Sequence, residues 1–452
     1  MIVITYITNL LTTGLGSLAA YLAAHVILCL LPAFFIAGAL TALIPKETIT
    51  KYLGKNASKW VSYPASAISG FVLAVCSCTI MPLFAGIYKK GAGIGPAMTF
   101  LFVGPAVNIL AISFTGVQIG MDIAIARIVL ALIFGIGIGL FMALLFSKDD
   151  KAHHEATNNS DLFSKSAKIP LRIWILLVLL LSILIAGTLQ VNFLKKSYVD
   201  VILPISGINN LQDVLNRLVP PNPALGIESI SFHGLILIGL LTLFAIAALL
   251  GFNKIDTGFN FLTYVALGLI TLTLIFASIN LIAAPTGLML GFTGKFFAET
   301  ILLASLWLLM ARYFKMNEIQ GWLWETWRFV QQIIPLLIAG VFVAGMARAA
   351  IPAIWISTLA GKNTFWANLA GVLFGVFMYF PTLVEVPIAQ TFLSLGMHRG
   401  PLLAYLLADP ELSLQSILIT NTVIGKKKTA VYVVLVTIFS TLSGLLFGWL
   451  IS

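Results

Sequence analysis

Apolar runs of about twenty residues, long enough to cross a bilayer as helices, follow one another along almost the whole chain. They predict spans near 18–44, 60–88, 95–118, 122–146, 171–191, 232–252, 260–282, 296–314, 328–350, 364–393, 400–420 and 429–451. Two connections are long and polar. Residues 147–170, SKDDKAHHEATNNSDLFSKSAKIP, read as a flexible loop, and His153 and His154 within it read as solvated linker rather than a metal site. In 192–230, Leu211, Val214, Leu215 and Leu218 share one helical face, and Gln212, Asp213, Asn216 and Arg217 share the other. That pattern predicts a short helix lying on the membrane surface.

One apolar stretch resists a straight helix. Between Gly70 and Asn108, Pro82, Pro96 and Pro105 lack a backbone donor, while Gly91, Gly93, Gly95 and Gly104 loosen the chain. Broken backbone at membrane depth survives where it is buried in protein or lines a watery cavity. The stretch therefore predicts a binding site. Cys76-Ser77-Cys78 marks the break, where unwinding lets both thiols face one point.

The breakers recur. Gly70, Pro82, Gly91, Gly95-Pro96 and Pro105 match Gly375, Pro387, Gly396, Gly400-Pro401 and Pro410 at a constant offset of 305. Gly54-Lys55-Asn56 returns as Gly361-Lys362-Asn363, and Pro32 with Ile36-Ala37-Gly38 returns as Pro335 with Ile338-Ala339-Gly340. Two four-segment halves thus flank a central section of four spans. The divisions are 1–146, a first transmembrane repeat; 147–327, a polar loop, central helices and an external loop; and 328–452, a second transmembrane repeat. Matching breakers in two repeats are the pattern of a secondary transporter's binding site.

Charge orients the halves. If all twelve segments cross, the halves are parallel and the 26 Lys and Arg split 12 against 14. If 60–88 and 364–393 are re-entrant hairpins, bent at Cys76–Pro82 and Pro381–Pro387, ten segments cross and the halves are inverted. The split is then 18 against 8, with Arg127 among the eight, as the positive-inside rule requires. Hairpins at 95–118 and 400–420 give 16 against 10 and the same inverted answer. The expected fold is an all-α polytopic membrane protein. It is a helical bundle of two inverted repeats with broken or re-entrant elements, about ten spanning helices and both termini outside.

Composition agrees. The chain of 452 residues is 60% hydrophobic and 9% charged, with a mean hydropathy of +1.04, whereas soluble domains carry about 25% charged residues. The net charge of +10 sits in short loops, so it orients the chain against lipid and excludes a nucleic-acid partner. Three cysteines in apolar segments make no disulfide framework. The N-terminal MIVITYITNLL lacks a basic region and leads into a span, so no removable signal peptide is expected. No G-x-x-x-x-G-K-[ST] motif is present, so ATP is not expected as a direct energy source, and no cofactor is called for.

The candidate chemistry is sparse. Cys76 and Cys78 read either as soft ligands for a thiophilic metal ion or a trivalent arsenic centre, or as small packed hydrophobes. Cys29, four residues after His25, reads as packed. Glu385 stands two residues before Pro387, the counterpart of Pro82, between Leu383, Val384 and Val386. Apolar surroundings disfavour its charged form, which suits a proton carrier. Asp409 and Glu411 flank the second-half counterpart of the Gly104-Pro105 break and read either as a cation or proton site or as solvated helix caps. Asn108 offers a donor and an acceptor, and Glu299 after Lys295 reads as an ion pair.

Cys76-Ser-Cys-Thr-Ile-Met-Pro82, Lys89-Lys-Gly-Ala-Gly-Ile-Gly-Pro96 and Gly104-Pro-Ala-Val-Asn108 resemble the predicted-permease family that includes YraQ and the organoarsenical efflux permease ArsP. Glu385-Val-Pro387 and Gly396–Pro401 resemble its second half. The resemblance covers both repeats and is weakest in 147–320. It implies a multi-pass inner-membrane permease of a prokaryote, with Cys76 and Cys78 holding arsenic. Asp409 and Glu411 depart from the family's small residues there and favour a cationic substrate or ion coupling. The expected function is proton-coupled efflux of a thiophilic solute such as a trivalent organoarsenical, with Cys76, Ser77, Cys78, Pro82 and Asn108 on the substrate side. Coupling falls to Glu385, Asp409 and Glu411. The rivals are a metal-cation or small-anion permease or channel, and an intramembrane thiol enzyme. The partners are the substrate and the bilayer, and a homo-oligomer is left open.

Overall fold

A computed structural model describes the whole chain except residues 1, 25–27, 29, 45–51, 55–56, 74–76, 108, 151–169, 190, 205–207, 219–229, 285–286, 351–352, 378–381 and 452. The first half contributes α1 (Ile2–Ala24), α2 (Leu31–Leu43), α3 (Lys59–Leu73), α4 (Ser77–Lys89), α5 (Ile94–Ala106), α6 (Ile109–Gln118) and α7 (Met121–Leu145). The central section holds α8 (Leu171–Thr188), α9 (Asn192–Lys195), β1 (Ser197–Leu203), α10 (Ile208–Leu218), α11 (Phe232–Gly251), α12 (Phe261–Ala277), β2 (Ile279–Ala284), β3 (Gly287–Thr293) and α13 (Gly294–Tyr313). The second half contributes α14 (Met316–Ala350), α15 (Ala353–Ala360), α16 (Phe365–Phe377), α17 (Thr382–Ser394), α18 (Arg399–Leu412), α19 (Leu414–Ile424) and α20 (Lys426–Leu450).

Helix boundaries recur with the breakers. Moved by 305, α4 and α7 fall on the bounds of α17 and α20, and α3, α5 and α6 fall within one residue of α16, α18 and α19. Gly91 and Gly396 precede α5 and α18 with φ of 92° and 94°, a left-handed conformation that glycine adopts without a Cβ penalty. The helix crossings recur as well. A Cβ on Gly95 would lie 2.9 Å from the Gly139 carbonyl oxygen, and one on Gly400 would lie 2.7 Å from that of Gly444. So α5 crosses α7, and α18 crosses α20, on paired glycines that bring backbone against backbone.

Contacts at the helix ends set directions. The Ile94 amide, at the start of α5, donates to Asp150 beyond the end of α7. Arg399, at the start of α18, pairs instead with Asp122 at the start of α7. Lys428, at the start of α20, lies 3.8 Å from Asp149, so α7 and α20 run antiparallel, with Phe439 packed on Phe134 and Phe141. The halves also exchange partners: α4 packs on α19, and α17 packs on α6.

Among the described residues, six helices are long and apolar enough to cross a membrane, and seven if α18 and α19, bent by 46°, count as one. On α7 the exposed face carries Ile125, Val129 and Ile133, and the opposite face buries Ala124, Arg127, Ala131, Gly135 and Ile138. Such a helix faces lipid on one side and protein on the other.

Several expectations change. The fold is mostly but not wholly helical: β3 lies between β1 and β2, antiparallel to both. The 260–282 run therefore ends as a helix at Ala277 and continues as the strand β2, whose backbone groups pair with β3. The 18–44 run is divided between α1 and α2, and the 328–350 run belongs to a 35-residue helix containing Pro335. The surface helix is α10, with Leu215 buried and Leu211 and Val214 exposed. Its Gln212 side chain accepts from the Phe232 amide at the start of α11. His153 and His154 lie outside the described residues.

Candidate functional site

Two buried polar contacts occupy corresponding places in the two halves. In the first, the Arg127 Nη2 of α7 donates to Glu385 Oε2 of α17 at 3.2 Å and lies 3.1 Å from Oε1. Its Nε donates to the carbonyl of Ala106, the last residue of α5, at 2.9 Å. Both side chains are sealed from solvent, at 0% and 1% exposure. A helix C-terminus presents carbonyls without intrahelical partners, so a cation there satisfies one and meets the negative end of the dipole.

In the second, the Tyr432 hydroxyl of α20 donates to Glu411 Oε2 of α18 at 2.9 Å, also buried. Residue 432 is 127 moved by 305, and 411 is 106 moved by 305. One geometric station thus holds arginine on a carbonyl in one half and tyrosine on a carboxylate in the other. The stations communicate: α18 packs on both α5 and α7, and the Arg127 charge acts on Glu411.

Asp409 is also buried, beside α16, where a Cβ on Gly375 would come within 3.0 Å of its backbone nitrogen. Asp409 and Glu411 lie inside α18 with Pro410 and are therefore not solvated caps. On α19, past the bend, Gln415 is buried with no hydrogen-bond partner for either amide atom among the described residues. Pro82 is buried inside α4, which continues through it to Lys89. Ser77 and Cys78 form the first turn of α4. Cys76 and Asn108, like His25 and Cys29, lie outside the described residues.

Glu299 and Lys295 differ from the expected simple pair. Lys295 donates to the Gly187 carbonyl at 2.8 Å, and neither Glu299 oxygen has a hydrogen-bond partner among the described residues. No group of three or more His, Cys, Asp or Glu suited to a metal is found among the described residues. Far from the polar contacts, an apolar cavity of about 200 Å³ lies between α2, α8 and α12–α14, lined by Phe35, Tyr264, Trp307 and Trp322 among others.

Arg127 and Tyr432 were hidden in the sequence. Arg127 counts on the outer side in the charge tally, near the start of the 122–146 span, and it is buried in α7. The signal was available: an arginine inside an apolar helix, matched after 305 residues by a tyrosine inside another.

A model of the family described as predicted permease, ArsP_1, matches residues 12–449. The chain is 34% identical over 448 residues to UPF0718 protein MJ0584 of Methanocaldococcus jannaschii, covering 99% of this chain and 98% of that protein. It is 32% identical over 100 residues to UPF0718 protein YraQ of Escherichia coli K12, covering 22% of this chain and 28% of that protein. No solved structure matches. The chain belongs to the predicted-permease family.

Proposed function

For this member of a permease family, we propose a secondary transporter built from two inverted repeats, exporting a small thiophilic solute against its gradient in exchange for protons. A trivalent organoarsenical is the sharpest candidate. The observation that carries the reading is the Arg127–Glu385 pair: it joins helices of opposite halves, 258 residues apart, where α5 ends. A charge pair that spans two halves reports their relative position, which is what alternating access needs.

The inverted arrangement draws support from the antiparallel course of α7 and α20, which occupy corresponding places in the two repeats. It draws more from the sheet, which gathers 197–203, 279–284 and 287–293 beside Lys196 and Lys295. The charge tally puts both of those lysines outside. Asp149 with Lys428, and Arg172 with Glu318, join loops assigned to the other side. About ten crossings and re-entrant 60–88 and 364–393 complete the proposed topology. Cys76, Ser77, Cys78 and Asn108 form the substrate side, and Glu385, Asp409 and Glu411 form the coupling side. The proposed location is the plasma membrane of a prokaryote.

Arg127 Nη1 has no hydrogen-bond partner among the described residues. That favours a second reading, a small-anion permease in which Arg127 meets the substrate. Purified protein in proteoliposomes, tested with trivalent organoarsenicals, soft metal ions and oxyanions under an imposed pH gradient, separates the readings. Gradient-driven arsenical movement, lost in Cys76→Ser with Cys78→Ser, is expected. Movement of an oxyanion alone would select the second reading, and no movement of any solute would end both.

A further inference from the structure

The buried carboxylates are not equivalent. Glu385 accepts a hydrogen bond from Arg127 Nη2 at Oε2 and holds Oε1 3.1 Å from the same nitrogen, so protonating it would strand a buried cation. Glu411 is different. Its Oε2 accepts the Tyr432 hydroxyl, its Oε1 has no hydrogen-bond partner among the described residues, and it is 1% exposed. It sits one residue before the end of α18, at the 46° bend into α19. Across that bend Gln415 brings a buried amide whose oxygen also has no partner among the described residues.

We propose that Glu411, oriented by Tyr432, is the proton-binding site of this protein, and that Arg127–Glu385 is a fixed latch that does not titrate during transport. The assignment rests on the coupled-transporter reading and narrows its coupling side, taking Glu385 out of the groups that titrate. The proton adds to Oε1, the free oxygen, and Tyr432 continues to donate to Oε2, so no other bond breaks. Loading removes one negative charge beside the latch and unloading restores it.

The surroundings are specific. The elements packed on α18 are α5, α7, α16, α17, α19 and α20. Of these, α5, α16 and α19 carry no ionisable side chain. The groups that act on Glu411 are Tyr432 on α20 and Arg127 on α7, the latter itself paired with Glu385 of α17, and the remaining carboxyl of α18 is Asp409. Tyrosine at 432, where the first half has arginine, leaves Glu411 without a touching cation among the described residues.

The test is infrared difference spectroscopy of the full-length protein in lipid vesicles, between alkaline and acid pH, with the Glu299→Gln variant as reference for the other buried carboxyl. A protonated-carboxyl band should grow on acidification, be lost in Glu411→Gln, and persist in Glu385→Gln and Asp409→Asn. In Tyr432→Phe the band should remain at full amplitude but shift in frequency, because one hydrogen bond is gone. An unchanged band in Glu411→Gln, its loss in Glu385→Gln, or an unshifted band in Tyr432→Phe would each overturn the assignment. If Glu411→Gln fails to fold, the Tyr432→Phe frequency decides. The spectra need no transported solute, so a failed solute panel leaves this result standing on its own.

Discussion

The α5–α7 crossing and the α18–α20 crossing share a backbone and differ in chemistry. Both rest on paired glycines, Gly95 with Gly139 and Gly400 with Gly444. Both are preceded by a left-handed glycine. Yet the first half places a cation at its station, and the second places a phenol and a carboxylate. The comparison separates what the fold demands from what function demands. Small residues at the crossings are repeated because close helix approach requires them. The polar side chains are not repeated, because a transporter needs its halves to do different work around one site.

The largest effect should come from Arg127→Met, which leaves Glu385 buried with no countercharge and should cost about 3–5 kcal/mol of stability. Arg127→Met combined with Glu385→Met should recover most of that loss, read as the denaturation midpoint in mild detergent. A double variant no better than the single would show that the pair is not an isolated unit. Next, Gly139→Val and Gly444→Val should destabilise by similar amounts, on the order of 1–3 kcal/mol, by pushing backbone from backbone. A large difference between the two would break the equivalence of the crossings. Tyr432→Phe should cost less, about 1–2 kcal/mol for one hydrogen bond to a carboxyl group. The smallest effect belongs to Arg399→Gln. Its partner Asp122 is about as exposed as Arg399 itself, at 43% and 39%, so below about 1 kcal/mol is expected, fading with salt.

Much of this was legible beforehand, for identifiable reasons. Prolines and glycines act locally, so the repeats of Gly91 and Pro105 announced the start and the end of α5 and α18, whereas Pro82 and Pro387 lie inside α4 and α17. The face of Leu211, Val214 and Leu215 announced α10 because helical periodicity is local too. Arg127 with Glu385 was not legible, since no local pattern links residues 258 apart. Glu385 therefore read as a carboxylate among valines, and Arg127 as a charge on the outer side. The sheet was missed because Ile279–Ala284 is as apolar as the helix before it, and hydropathy does not separate a strand from the end of a span.

The exchange of α4 and α17 between halves bears on synthesis. Met81 of α4 meets its partner Thr420 of α19 across 339 residues of chain. At typical elongation of about 5–20 residues per second, that separation is roughly 17–70 s of translation. Throughout that time the α4 surface that will carry α19 has no native partner, and the whole central section is inserted before one is made. The first half therefore leaves the ribosome before the α4 surface that carries α19 can be covered. Its core closes only as the last hundred residues arrive.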